Sequence, residues 1–286
     1  GYGLTPEIVD LAATSQPDLI VTVDNGISSI DGVNRAKALG IKVLVTDHHL
    51  PGDKIPDADA IVNPNQASCG FLSKNAAGVG VIFYVMSALR SALRELAWFE
   101  MHNIKEPNLG DYLDLVALGT VADLVPLDKN NRILVEQGLK RIRAGRCRPG
   151  IKAILASAQR KPESIRASDM GFAIGPRLNA AGRLDDMSLG IECLLSEDDY
   201  SASQLAQRLD QLNQDRKSIE ADMKVDADIQ LQEMDFGKDK MAWGLCLYEA
   251  HWHQGVIGIL ASRVKEKFHR PVIIFAPADD DPSIEN

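Results

Sequence analysis

Ile41-Lys-Val-Leu-Val-Thr46 runs directly into Asp47-His48-His49. The first six residues are an apolar, β-branched run, which predicts a buried parallel strand over 41–46. A second run, Asp18-Leu-Ile-Val-Thr-Val-Asp24, ends the same way and is followed by Asn25-Gly26. In an open α/β sheet, ligand-binding groups gather just beyond the carboxyl ends of the strands. Two adjacent parallel strands therefore bring Asp24 and Asp47-His48-His49 to one sheet edge, where they suit a divalent metal. Carboxylate and imidazole donors with no thiolate in the pattern favour Mn2+ or Mg2+ over zinc. The plainer readings are Asp24 as a helix N-cap and the two histidines as one core and one surface residue.

Outward from this stretch, the first third of the chain alternates strand and helix. Strands are expected over 18–24 and 41–46, with a helix over 28–39 between them and a short third strand at 60–63. That spacing implies a parallel sheet with crossover helices. From 77 to 195 the pattern is mostly helical, at 81–96, 112–121, 131–143 and 151–158. Ala77-Gly-Val-Gly-Val81 is taken as close helix packing rather than a nucleotide fingerprint. A longer helix is expected over 197–234, with Leu205, Leu209, Leu212, Ile219 and Met223 as its apolar stripe and Ser196 with Asp199 as its capping box. Strand 243–248, helix 256–268 and strand 272–275 then open another βαβ unit. The fold class is α/β: a parallel-sheet domain with helical cover (1–195), a long linker helix (196–236), and the start of a second, smaller α/β domain (240–286).

The chain has 286 residues, 45% hydrophobic and 25% charged, ordinary for a globular protein. It lacks an apolar stretch of the roughly 18–20 residues that span a bilayer, and Gly1-Tyr-Gly-Leu does not resemble a secretory signal. Cys69, Cys147, Cys193 and Cys246 are far apart. A disulfide framework or zinc knuckle is therefore not expected, and a reducing cytoplasm fits. The opening without methionine and the closing Asp279-Asp-Asp-Pro suggest a piece of a longer protein. The net charge is −9, yet twelve Lys/Arg against three Asp/Glu lie between Arg132 and Arg183, which leaves −18 on the rest. Such a basic stretch suits phosphates along a nucleic-acid strand, or is a solvated helix face.

Six segments, in order, carry a family resemblance. They are Val23-Asp-Asn-Gly-Ile-Ser-Ser29, Thr46-Asp-His-His-Leu-Pro-Gly52, Asn63-Pro-Asn65, Gly119-Thr-Val-Ala-Asp-Leu-Val-Pro-Leu127, Gly175-Pro-Arg-Leu-Asn-Ala-Ala-Gly-Arg183 and His253-Gln-Gly-Val-Ile-Gly-Ile-Leu-Ala-Ser-Arg263. Together they resemble the DHH phosphoesterase family, and within it the members that degrade single-stranded DNA. The resemblance implies a metal-dependent exonuclease working 5′ to 3′ in DNA repair and recombination, with two Mn2+ or Mg2+ ions. It implies Asp24, His48 and Asp123 as metal ligands and His49 facing the substrate. Asp47 would orient an imidazole or touch the metal. Arg177, Asn179, Arg183, His253 and Arg263 would contact DNA phosphates. Single-strand-binding protein and a helicase are implied as partners by analogy.

Internal ion pairs, helix capping or surface solvation are the plainer readings of the arginines, and an exposed helix end that of Asp123. Trp243 and Trp252 fit either base stacking or core packing. The family's first motif, an Asp-x-Asp cluster after an earlier strand, has no counterpart here, so the chain alone is expected to show little or no nuclease activity. Two further readings stand beside the exonuclease. One is a small-substrate relative acting on nano-RNA, cyclic dinucleotides or pyrophosphate; the other is a non-catalytic DNA-binding relative.

Overall fold

The computed structural model describes residues 3–233 and 243–278. Expectations that fall on 1–2, 234–242 and 279–286, including the end of the linker helix and the start of the second domain, lie outside the described residues. The chain opens with α1 (Pro6–Ala13), β1 (Leu19–Val23), α2 (Ile30–Ala38), β2 (Lys42–Thr46) and β3 (Ala60–Val62). Helices α3 (Gly78–Glu95), α4 (Trp98–Met101), α5 (Leu113–Ala122), α6 (Lys129–Arg143) and α7 (Pro149–Ser157) follow. Next come α8 (Ala167–Asp169), α9 (Gly175–Leu184), α10 (Ser188–Leu195) and α11 (Asp199–Glu233). The last elements are β4 (Leu245–Tyr248), α12 (Ile257–Phe268) and β5 (Val272–Phe275). These form two compact units: residues up to Cys147 with Lys161–Phe172, and Arg148–Arg160 with Ala173 onward.

In the first unit, β1, β2 and β3 make a parallel sheet with β2 in the middle. The register pairs Val23 with Thr46 and Thr46 with Val62, so the three strands end level. Val43 and Val45 are fully buried, in one apolar cluster with Val9 of α1 and Val33 and Ala36 of α2. Alternation places Leu19, Val21 and Val23 of β1 on the other side, all more than 40% exposed. Helix α1 starts where Thr5 Oγ1 accepts from Ile8 N–H and Pro6 takes the first helical position, which needs no N–H. α6 begins two residues earlier than expected because Asp128 caps it, accepting from Asn131 N–H at 2.9 Å. Gly138 lets α6 cross α5 closely, since a Cβ there would collide with Leu113 O and Ala117.

In the second unit, α11 packs on α7, α9 and α10. Its cap differs from the expected box: Asp198 Oδ1 accepts from Ser201 N–H at 2.8 Å. Ser196 Oγ instead donates back to Glu192 O at the end of α10. The buried seam also shifts. Ala202, Ala206, Leu209 and Asn213 are fully buried, and Leu205 and Leu212 only flank them. Small residues on the seam permit close approach of neighbouring helices, which a count of large apolar residues overlooks. Further along, Met223, Ala227 and Leu231 pack with Leu245, Leu247, Leu260 and Ile274 under the parallel β4–β5 pair.

Candidate metal centre

The level strand ends place the site. Asp24 N–H donates to Thr46 O at 3.0 Å and Asp47 N–H to Val62 O at 3.1 Å, so each carboxylate follows the last ladder bond of its strand. Asp24 has a left-handed backbone, φ 65, and is followed by Gly26 at φ 113. A non-glycine residue there is strained, and α2 starts only at Ile30, so Asp24 is not its N-cap.

Asp24, His48 and His49 each offer a ligand atom, and these atoms lie within 4.8 Å of one another. His48 Nε2 is 2.9 Å from Asp24 Oδ1 and 3.3 Å from Asp123 Oδ2. That nitrogen is shut off from water and makes no hydrogen bond of good geometry, as befits a donor atom turned towards a shared point. The contact to Asp24, with burial opposing and the charges of Asp123, Asp24 and Asp47 assisting, raises the His48 pKa. Burial raises that of Asp123, helped by the Asp24 charge and opposed by His48. Asp123 is also the C-cap of α5, where the helix dipole disfavours a carboxylate. The cluster is thus stabilised by positive charge, from a proton on His48 or from a divalent ion. Oxygen and imidazole donors around one point fit Mn2+ or Mg2+.

Asp47 is 1% exposed and holds the loop together. Its Oδ1 accepts from His48 N–H at 2.7 Å, His49 N–H at 3.1 Å and His49 Nδ1 at 2.7 Å; its Oδ2 accepts from Ile27 N–H at 2.9 Å. Burial pushes its pKa up, but the bonds from Ile27 and from His49 and His48 outweigh this and hold the carboxyl below its usual range. With the proton of His49 on Nδ1, the ring carries its lone pair on Nε2, the usual means of fixing a tautomer beside a metal. Both Asp47 oxygens are committed to this scaffold, so its position is that of an orienting group.

Two asparagines pin the same loop, a task that no local pattern announced. Asn63 Nδ2 donates to His49 O at 2.9 Å and Asn65 Nδ2 to His48 O at 2.6 Å, while Asn65 N–H donates to Asn63 Oδ1. Asn63-Pro-Asn65 stood out only as a motif; its contacts depend on how the chain returns after β3.

The second unit carries the remaining candidates. The Arg177 guanidinium pairs with Asp210 at 2.7 Å and donates to Ala173 O, as in its plainer reading. Arg183 donates to Gly255 O at 3.0 Å, and His253 Nδ1 accepts from Gly255 N–H. Arg263 lies 3.4 Å from Glu220 and 3.8 Å from Glu266; Asn179 is exposed. Trp252 is in the core at 3% exposure, whereas Trp243 is 96% exposed. In the basic stretch, Arg141 pairs with Asp111 and Arg143 donates to Ile165 O. No described helix is long and apolar enough to cross a membrane.

An Asp and a His-His pair fixed by a buried carboxylate at the end of parallel strands define a class. Residues 4–120 match the DHH family, N-terminal domain, and the chain belongs to that family. Several relatives more than 30% identical bear one name. The chain is 61% identical over 280 residues to the single-stranded-DNA-specific exonuclease RecJ of Salmonella typhimurium, covering 98% of this chain and 48% of that protein. It is 36% identical to RecJ of Bacillus subtilis, covering 96% of this chain and 32% of that one. The chain thus spans about half the length, or less, of these curated relatives. Among solved structures, an exonuclease RecJ bound to manganese matches with a TM-score of 0.80 and 33% identity, over 96% of this chain and 65% of that one. RecJ from Thermus thermophilus with Mn2+ matches at 0.76 and 32%, over 95% and 38%.

Proposed function

We propose that these residues build the metal centre of a single-stranded-DNA-specific 5′–3′ exonuclease, acting in DNA repair and recombination with Mn2+ or Mg2+. The observation that carries this is the convergence of Asp24, His48 and His49 within 4.8 Å at the sheet edge. Asp24 and His48 would hold the ion, with Asp123 beside them. A bound ion there supplies Lewis-acid activation of water and of a phosphodiester oxygen. Asp47 keeps the His49 ring oriented, and His49, whose side chain is 48% exposed, is placed to meet the substrate at the scissile phosphate or leaving group. Asp47 acts through His49 and is a positioning residue.

Residues 1–195 would be the catalytic domain, 196–236 a linker and 240–286 part of a substrate-binding domain. Exposed Asn179 and Arg183, with His253, would contact strand phosphates. Arg177 and Arg263 would do so only by exchanging their carboxylate partners for phosphate. Single-stranded DNA is the proposed substrate and partner, with single-strand-binding protein and a helicase as associates to test. Four cysteines that form no disulfide fit a cytoplasmic location.

The test is a substrate series with Mn2+, run on this chain and on the longest gene product that contains it. It compares 5′-labelled single strands of increasing length, duplexes and dinucleotides. Metal-dependent loss of 5′ nucleotides from long single strands by the longer product, abolished by Asp24→Ala, is the expected result, with little or none from this chain alone. Activity confined to dinucleotides would instead favour a small-substrate phosphodiesterase, and metal-independent binding without turnover a non-catalytic relative.

A further inference from the structure

The amino terminus of α3 touches the metal centre at one residue, Gly78. A Cβ built there would lie 2.5 Å from Asp24 Cβ and 2.6 Å from Asp24 Cγ, and as close to Oδ1. The Gly78 backbone is outside the left-handed region, so conformation does not demand glycine. Space does. A clash with a carboxylate tip alone is relieved by a small rotation, but the Asp24 Cβ is attached to a backbone fixed by its bond to Thr46 O. The helix cannot retreat either. Val79, the next residue, packs against Gly119 of α5, where a Cβ would be 2.8 Å from Val79 Cγ1. α3 is therefore held between Asp24 and α5.

We infer that Gly78 is a positioning residue for the metal centre: it is the gap that lets the Asp24 carboxylate reach His48 Nε2. This rests on the reading of Asp24 as a ligand. Gly80 is the natural control. It is buried in the same helical turn, and its Cβ would meet nothing nearer than Leu134 at 3.9 Å. Alanine favours the helix at both positions, so helix propensity alone predicts the same response from both.

The experiment compares the chain with Gly78→Ala and Gly80→Ala by crystal structure and by Mn2+ titration followed by electron paramagnetic resonance. Gly78→Ala should keep the native fold, move Asp24 Oδ1 away from the 2.9 Å contact with His48, and weaken Mn2+ binding by about tenfold or more. Gly80→Ala should leave both unchanged. An Asp24 side chain still in place in the Gly78→Ala crystal overturns the inference, as does unchanged Mn2+ affinity despite a displaced carboxylate. Absence of Mn2+ binding by the parent chain would sink the metal reading instead. The crystallographic separation would still decide whether Gly78 positions Asp24.

Discussion

Asp47 gathers four donors on two oxygens at 1% exposure, so its charge is a structural requirement before it is a chemical one. In Asp47→Asn an amide N–H2 would face backbone N–H groups, and we predict a loss of about 2–3 kcal/mol in urea unfolding at pH 7. The pH dependence follows from its depressed pKa. The stabilisation is fully present above the unfolded value of about 3.9 and is lost as pH falls through the lower folded value. The parent chain should therefore lose stability steeply below about pH 4, and Asp47→Asn should flatten that limb; parallel acid limbs would contradict the assignment. The ligand-type residues Asp24, Asp47, His48 and His49 were legible because their chemistry is local and each follows a strand. The tasks of Asn63, Asn65 and Gly78 were not, because they exist only where separate segments return to the same loop.

Among the elements, α5 ends in an unusual way. After the C-cap Asp123, Leu124 takes a left-handed backbone, φ 58, with its side chain 86% exposed. Glycine is the favoured residue there. Leu124→Gly should raise stability by about 0.5–1 kcal/mol, measured as a higher urea midpoint; a lower midpoint would mean the leucine makes a stabilising contact. At the start of α6, Asp128 accepts from Asn131 N–H and from Ser73 Oγ. Asp128→Ala should cost about 1–2 kcal/mol in the same unfolding measurement. Element types and centres followed from apolar periodicity and turn residues, as in β1, β2, α6 and α12. The ends depended on caps such as Asp128 and Asp198, and the α11 seam on alanines that a hydrophobic stripe does not single out.

For the molecule as a whole, the β1–β2–β3 sheet leaves β1 as an edge among the described residues, with Leu19, Val21 and Val23 on an exposed face. Such edges promote association. Val21→Lys should reduce concentration-dependent light scattering without altering the far-ultraviolet spectrum. The parallel sheet and the gathering of Asp24, His48 and His49 at its edge were readable from two strand ends alone. The pairing of Arg177 with Asp210 was not, since opposite charges 33 residues apart in sequence meet only through α9 and α11.

The ligand set proposed here suffices for one ion, so one Mn2+ per chain is expected, with little turnover from these residues alone. The most direct measurement is calorimetric titration of Mn2+ into the chain and into His48→Ala. The account predicts a single site in the parent chain, weakened by about tenfold or more in the variant. Equal binding by both, or none by either, would contradict a metal centre built on His48.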